Sequence, residues 1–122
     1  MDIKIEPRML SGKVKVPPSK SVSHRVLISA ALASGISEIK GIMDSKDIIA
    51  TTECLKAMGA NITEHDGVAQ ITGISSVQEN VILDCFESGS TLRFLIPVAA
   101  ALGINATFLG KGRLPERPII PY

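Results

Sequence analysis

The sequence of 122 residues has no tryptophan, only three phenylalanines and one tyrosine, and only two cysteines. Two cysteines are too few for a disulfide framework or a zinc signature, so we expect Cys54 and Cys85 to be buried, reduced thiols. His24 and His65 stand alone in the sequence, and we expect neither to bind a metal. These scarcities exclude disulfide-stapled and zinc-finger classes of protein.

The sequence also lacks an excess of charge of either sign. Thirteen basic residues nearly balance twelve acidic ones, and they form no basic run, which argues against broad electrostatic binding to nucleic acid or membranes. No apolar stretch reaches membrane length, and the N-terminus lacks the apolar run of a signal peptide. We therefore expect a cytoplasmic protein whose electrostatic effects are local.

The chain is rich in aliphatic residues. Its hydrophobic content is 45%, which is enough to form a compact core. Polar and apolar alternation predicts short strands, and the apolar runs between them have helical spacing. The predicted elements are strands at 3–5, 13–16 and 36–42, helices at 21–34 and 44–58, a hairpin of 61–64 with 68–72, a strand at 81–84, a helix ending near 102 and a strand at 105–109.

Local signals mark the ends of these elements. Asp44 is the predicted N-cap of the second helix, with Asp47 reaching back as a capping-box variant. The pair Asp66-Gly67 favours a type I′ turn in the hairpin. Pro97 lies inside the third helix and is expected to kink it, or to occupy a place where the geometry tolerates it.

The chain resembles itself at an offset of 68 residues. Residues 21–36 and 89–104 are identical at seven of sixteen positions, including Arg25 with Arg93 and Gly35 with Gly103. The same offset aligns the predicted strands at 13–16 and 81–84. Two alanine-rich helices can also match by chance, but a duplicated strand-and-helix unit is the favoured interpretation.

The segment 19–25 places several cationic and hydroxyl side chains where an extended stretch turns into a helix. It brings Lys20, Arg25 and three serine hydroxyls to the positive end of that helix, where backbone N–H groups lack intrahelical partners. Such a junction is a binding site for phosphate or carboxylate groups. The alternative is that Lys20 and Arg25 are simply a solvated first turn.

Four motifs follow one another along the sequence. They are Ser19-Lys20-Ser21-Val22-Ser23-His24-Arg25, Asp44-Ser45-Lys46-Asp47, Gly89-Ser90-Thr91-Leu92-Arg93 and Arg113-Leu114-Pro115-Glu116-Arg117-Pro118-Ile119. In this order and at about this spacing they resemble the 5-enolpyruvylshikimate-3-phosphate (EPSP) synthase family. The resemblance covers essentially the whole chain, but only the first quarter to third of that enzyme.

The resemblance implies a transferase of the shikimate pathway that moves the carboxyvinyl group of phosphoenolpyruvate to the 5-hydroxyl of shikimate 3-phosphate. It implies an α/β (α+β) fold of repeated βαβαββ units, with residues 13–80 as one unit and 81–122 as an incomplete second unit. Residues 1–12 would form a strand region that packs against the remainder of the enzyme. The family uses no organic cofactor, and we expect no metal site in this chain.

The resemblance also implies roles for individual residues. Lys20 would be the catalytic lysine that touches both substrates, and Ser21 and Arg25 would bind shikimate 3-phosphate. Gly89 and Arg117 would bind phosphoenolpyruvate, and Gly89 is the position associated with glyphosate sensitivity. Two further family positions, Asp47 and Arg93, would support these side chains from nearby.

The chain departs from the family pattern at one place and leaves alternatives open. Glu87 and Ser88 stand where the family commonly has Asn-Ala, so a carboxylate lies near a site for anions. Arg93 could instead pair with Glu87 or Asp47, and Arg113 and Arg117 could form an exposed ion-pair loop around Glu116.

Two other functions compete with the shikimate-pathway transferase. A related enzyme class uses a UDP-amino sugar as acceptor, but it typically has asparagine after the lysine and often a cysteine near residue 113. A non-enzymatic anion-binding module is the other alternative. The acid–base groups of the family lie outside this segment, so we expect the chain to bind substrates without turnover.

Overall fold

The computed structural model describes residues 2–119, so the last three residues of the predicted second unit lie outside the described residues. Helices and strands are interleaved along the chain, with three successive strands between the second and third helices. They are α1 (Lys20–Leu32), β1 (Ile36–Lys40), α2 (Lys46–Ala57), β2 (Asn61–His65), β3 (Val68–Thr72), β4 (Val81–Asp84), α3 (Gly89–Ala101), β5 (Ala106–Leu109) and a 3-10 turn at Leu114–Glu116. The α/β fold class expected from the sequence is confirmed.

The strands form two small sheets of different type. One is antiparallel with the order β1-β3-β2, and the other is a parallel pair of β4 and β5 joined through α3. In the β2–β3 hairpin, Asp66 and Gly67 both have positive φ, 51° and 72°. Positive φ at both central residues is the requirement of a type I′ turn, so the predicted turn is confirmed.

The three helices and both sheets share one aliphatic core. Its fully buried side chains include Leu27 of α1, Leu55 of α2, Ile71 of β3, Leu83 of β4 and Leu95 of α3. Each such side chain contributes about 1.5–3 kcal/mol by leaving water. The core thereby fixes the three helices relative to one another, which matters because their N-terminal ends carry the site described below.

The strands predicted at 3–5 and 13–16 are wrong for the described chain. Residues 2–19 form neither helix nor strand and are exposed throughout, with Val14 at 87% and Val16 at 76% exposure. Alternating residues make a strand only when a neighbouring strand accepts its hydrogen bonds and an apolar face covers its side chains. Residues 13–16 have neither here, although the equivalent segment 68 residues later does.

The cap of α2 also differs from the prediction by one residue. Ser45, not Asp44, is the N-cap, and its hydroxyl accepts a hydrogen bond from the backbone N–H of Ile48 at 3.3 Å. The carboxylate of Asp47 pairs with Lys20 instead of reaching back to the cap. The helix α3 continues through Pro97, whose side chain lies on its exposed face.

The end of β3 touches the end of α1 without any side chain between them. The backbone N–H of Gly73 donates to the carbonyl of Gly35 at 3.2 Å, and that of Ile74 donates to the carbonyl of Ala31 at 2.8 Å. A methyl group on Gly73 would overlap the carbonyl oxygen of Ala33. Glycine at residue 73 therefore permits the hairpin sheet to close against α1.

Candidate functional site

The N-terminal end of α1 presents a lysine and free backbone donors. Ser19 caps the helix by accepting from the N–H of Val22, so Lys20 and Ser21 are its first two residues. Their N–H groups have no partner within the helix and add to its positive dipole. The Lys20 ammonium lies 2.6 Å from a carboxylate oxygen of Asp47, which ties α1 to the first turn of α2.

One turn later, Arg25 connects α1 with α3. Its guanidinium donates to the carbonyl of Ser21 at 3.0 Å and lies over the ring of Phe94, 5.2 Å from the ring centre. A cation above an aromatic face is held by the ring quadrupole. Arg25 is exposed, so its remaining donors face solvent and are free for a ligand within the described structure.

The N-terminal end of α3 presents two arginines. Ser88 caps this helix, and Gly89 is its first residue. A methyl group on Gly89 would lie 2.9 Å from Nη1 of Arg117 and 3.0 Å from Nη1 of Arg93. Among residues 2–119 neither these two arginines nor Arg113 forms an ion pair, so the alternative pairings left open by the sequence are absent there. Two guanidinium groups beside a helix N-terminus form a site suited to an anion.

A chain of buried hydroxyl groups joins the three helices beneath these ends. Nδ1 of His24 lies 2.7 Å from Oγ1 of Thr51, which lies 2.7 Å from Oγ1 of Thr91. The Thr91 hydroxyl donates to Oγ of Ser88 at 2.7 Å, and Thr91 also approaches the carbonyl of Asp47 at 3.3 Å. Sequence reasoning missed this network of hydrogen bonds because the residues that form it are far apart in sequence.

His24 is the titratable residue in that network of hydrogen bonds. Burial lowers its pKa from the ordinary value of 6.5, the Asp47 carboxylate opposes this effect, and the Lys20 and Arg25 cations add to it. Its Nε2 atom is buried and has no hydrogen-bond partner within the described structure. A neutral imidazole is therefore favoured in the folded chain.

Glu87 lies beside Gly112 and forms no ion pair with the two arginines among residues 2–119. Its carboxylate lies against Gly112, where a methyl group would come within 2.6 Å of Oε1, and it lines a cavity of about 370 Å³ together with Lys46 and Lys111. In the same cavity, Lys111 pairs with Asp84 at 3.3 Å. The pKa of Asp84 is lowered, mainly by the N–H of Phe86 and then by Lys111.

The two cysteines are buried and free, as expected from the sequence. A hydrogen bond with Cys85 and burial raise the pKa of the Cys54 thiol. In the portion that the structure describes, no cluster of three or more His, Cys, Asp or Glu side chains is placed to hold a metal ion. Within that portion, too, no helix is both long and apolar enough to cross a membrane.

The predicted site residues thus fall into two groups connected through Asp47. Lys20, Ser21 and Arg25 lie at the α1 end, and Gly89, Arg93 and Arg117 lie at the α3 end. Asp47 contacts both groups, because its carboxylate binds Lys20 and its carbonyl oxygen lies 3.3 Å from Oγ1 of Thr91, two residues beyond Gly89. Arg113 is exposed, as are Arg25 and Arg117.

The fold is that of the enolpyruvyl transferase class of α/β proteins. Two solved structures of EPSP synthase from Acinetobacter baumannii superimpose on 88% of the chain, with TM-scores of 0.74 and 0.76 at 28% and 29% identity. Residues 5–122 match the EPSP synthase (3-phosphoshikimate 1-carboxyvinyltransferase) family. The chain belongs to this family, which confirms the resemblance noted in the sequence.

Curated relatives agree with this assignment. The chain is 47% identical over 130 residues to the 3-phosphoshikimate 1-carboxyvinyltransferase of Clostridium beijerinckii, covering 99% of the chain and 30% of that protein. It is 50% identical over 121 residues to the enzyme of the same name from Clostridium kluyveri, covering 98% of the chain and 28% of that protein. The chain therefore spans about three tenths of the length of these relatives.

Proposed function

We propose that the chain is a substrate-binding part of an EPSP synthase, which transfers the carboxyvinyl group of phosphoenolpyruvate to the 5-hydroxyl of shikimate 3-phosphate and releases phosphate. The observation that carries the proposal is the meeting of Arg93 and Arg117 beside Gly89 at the positive end of α3. Both substrates are phosphorylated anions, and paired guanidinium groups bind phosphate and carboxylate groups through two parallel hydrogen bonds.

Each helix end receives one substrate in this proposal. Phosphoenolpyruvate binds at α3 through Arg117 and the N–H groups around Gly89, with Arg93 beside them. Shikimate 3-phosphate binds at α1 through Ser21 and Arg25. Lys20, held by Asp47 between the two ends, contacts both substrates and stabilises negative charge that develops during transfer.

The chain supplies binding but not turnover. Asp47, the carboxylate at the α1 end, is already engaged by Lys20, and Glu87 faces the cavity beside Gly112. Addition to phosphoenolpyruvate needs a proton donor for carbon and a base for the attacking hydroxyl. We place these groups in the remainder of the enzyme, the expected partner of this chain. Release of phosphate by the purified chain with both substrates would contradict this part of the proposal.

Calorimetric titration with the two substrates tests the binding sites. Arg117→Ala should weaken phosphoenolpyruvate binding about 10- to 100-fold, because a charge-assisted hydrogen bond is worth about 1.5–3 kcal/mol. Arg113→Ala is the matched control, since Arg113 is an exposed arginine four residues away. Equal loss in both variants would indicate general charge attraction and reject the assigned site.

The α1 end has its own test with shikimate 3-phosphate. Lys20→Ala should weaken binding by a similar factor, and Lys56→Ala is the control because Lys56 also pairs with a carboxylate, Glu53, on an exposed surface. Unchanged affinity of the Lys20 variant would remove the α1 end from the proposal. Binding of a UDP-amino sugar in preference to shikimate 3-phosphate would point to the related enzyme class.

Two finer points extend the proposal. Glyphosate should compete with phosphoenolpyruvate, and Gly89→Ala should weaken both ligands because the methyl group would push against Arg117 and Arg93. A cytoplasmic location is supported by the two free thiols, Cys54 and Cys85, which a reducing compartment preserves.

A further inference from the structure

One threonine contacts all three helices that carry the proposed substrate site. Oγ1 of Thr51 in α2 lies 2.7 Å from Nδ1 of His24 in α1, 2.7 Å from Oγ1 of Thr91 in α3, and 3.2 Å from the carbonyl of Asp47 in its own helix. His24, Thr51 and Thr91 are all fully buried, at 0% exposure. Water cannot replace a hydrogen bond that is lost at such a point.

Taking the 2.7 Å contact between Thr91 and Ser88 as a donation by Thr91 assigns one order to the hydrogen atoms of these hydrogen bonds. The longer approaches of Thr51 and Thr91 to the carbonyl of Asp47, 3.2 Å and 3.3 Å, then carry no hydrogen. Ser88 accepts from both the N–H and the hydroxyl of Thr91, so the Thr91 oxygen is left to accept from Thr51. Thr51 then accepts from an N–H at Nδ1 of His24. This order leaves Nε2 of His24 as a bare acceptor, and a buried acceptor without a partner is less unusual than a buried N–H without one.

Both ends of the chain of hydrogen bonds lie beside a proposed substrate group. His24 is one turn after Lys20 and directly before Arg25, and Thr91 is two residues after Gly89. Sliding α1 against α3 would break buried hydrogen bonds, and each unpaired group left behind costs about 1–3 kcal/mol. These hydrogen bonds therefore tie the position of one helix end to the position of the other.

From this geometry we propose that Thr51 and Thr91 are positioning residues that couple the α1 end to the α3 end, so that bound shikimate 3-phosphate strengthens the binding of phosphoenolpyruvate. This inference rests on the proposed function and deepens it. A ligand that orders one end also orders the other through Thr51, and the second ligand then has less ordering left to do. Neither threonine needs to touch a substrate.

Calorimetric titration of phosphoenolpyruvate into the full chain, with and without saturating shikimate 3-phosphate, measures the coupling. The wild-type chain should show a coupling factor of about fivefold or more. Thr51→Val, which keeps the shape and removes the hydroxyl, should bring the factor to about 1, while affinity for shikimate 3-phosphate alone stays within about twofold. Thr51→Ser, which restores a hydroxyl, should restore the coupling.

The next residue of α2 provides a matched control. Thr52 is half-buried and takes no part in the hydrogen bonds that link His24, Thr51 and Thr91, so Thr52→Val should keep the wild-type coupling. Full coupling in Thr51→Val, or its loss in Thr52→Val as well, overturns the inference while the proposed function stands. Failure of the wild-type chain to bind either substrate rejects the proposed function and the inference with it.

Nuclear magnetic resonance of the wild-type chain gives a second readout that does not depend on how the variants fold. Phosphoenolpyruvate added to the chain saturated with shikimate 3-phosphate should shift the ring resonances of His24, although His24 lies in α1 and the ligand binds at α3. Exposed His65 should not respond. If the ring resonances of His24 do not shift when phosphoenolpyruvate is added, the proposed coupling through Thr51 is wrong.

Discussion

Residues 13–40 and residues 81–109 share a sequence pattern, and the structure shows which helices and strands each segment forms. Helices α1 and α3 are both 13 residues long, and both are capped by serine, Ser19 and Ser88. Each helix is followed by a glycine with positive φ, Gly35 at 85° and Gly103 at 69°. The helices thus match in length and in the type of cap, and the boundaries of α3 lie one residue later than the 68-residue offset from α1 would place them.

The strands before the helices differ. β4 pairs in parallel with β5, whereas residues 13–16 are exposed, and β1 pairs with β3 of the hairpin instead. A helix satisfies its backbone from within, but a strand depends on a neighbour. The comparison teaches that the same local pattern becomes a strand only where the rest of the chain provides an edge to receive it.

Hydrogen exchange should show the largest contrast between the two regions. The N–H of Cys85 donates to the carbonyl of Leu109 at 2.9 Å and is buried, so it should exchange about a thousandfold or more slowly than an unstructured amide. The amides of 13–16 should exchange at the unstructured rate. Protection of 13–16 equal to that of β4 would mean that both regions form complete strands.

Equivalent leucines test whether the two helices are equally important to the core. Leu27 and Leu95 occupy matching positions of the repeat and are almost fully buried. Leu27→Ala and Leu95→Ala should each lower the free energy of unfolding by about 2–5 kcal/mol. Leu32→Ala, at a side chain that is 47% exposed, is the control and should cost less than about 1 kcal/mol in urea unfolding.

A pH titration separates the regions by chemistry, because His24 of α1 matches Leu92 of α3. The folded pKa of His24 lies below 6.5, so the unfolded chain binds more protons in acid. The free energy of unfolding should fall as pH drops below about 6.5, by up to about 1.4 kcal/mol per unit. His24→Asn should abolish this slope and exposed His65→Asn should keep it; a slope that survives His24→Asn belongs to another group.

The smallest contrast concerns the glycines that end the two helices. Gly35→Ala and Gly103→Ala should each cost about 1–2 kcal/mol, because a left-handed conformation brings Cβ close to a carbonyl oxygen. Gly12→Ala is the control: Gly12 also has a positive φ, 133°, but it lies in the exposed segment before α1, where the backbone is free to take another conformation. Thermal unfolding measures all three, and equal shifts would contradict the distinction between ordered and exposed segments.

The sequence predicted those elements that local signals determine. Helix α2 ends at the predicted place before Gly59, and the hairpin turns at Asp66-Gly67. The cap of α2 was misplaced because Asp44 and Ser45 are both good caps, and the engagement of Asp47 by Lys20 comes from another helix. A choice between adjacent caps depends on tertiary contacts that a local pattern does not contain.

The candidate site was predictable in its members but not in its internal connections. Family motifs indicated Lys20, Gly89 and Arg117, and the structure brings Arg117 to Gly89. The contact of His24 with Thr51 spans 27 residues and depends on how α1 packs against α2. A polar residue on the buried face of each helix was the available signal, and it did not identify the partner.

Gly73 has a practical consequence for recognising distant members of this fold. Even alanine would collide there with the carbonyl of Ala33, so a library of all amino acids at this codon, screened for correctly folded chains, should return glycine alone. Neighbouring Thr72, whose side chain is exposed, should accept many replacements. A homologue with another residue at the equivalent of 73 must have reshaped the junction between its first helix and its hairpin.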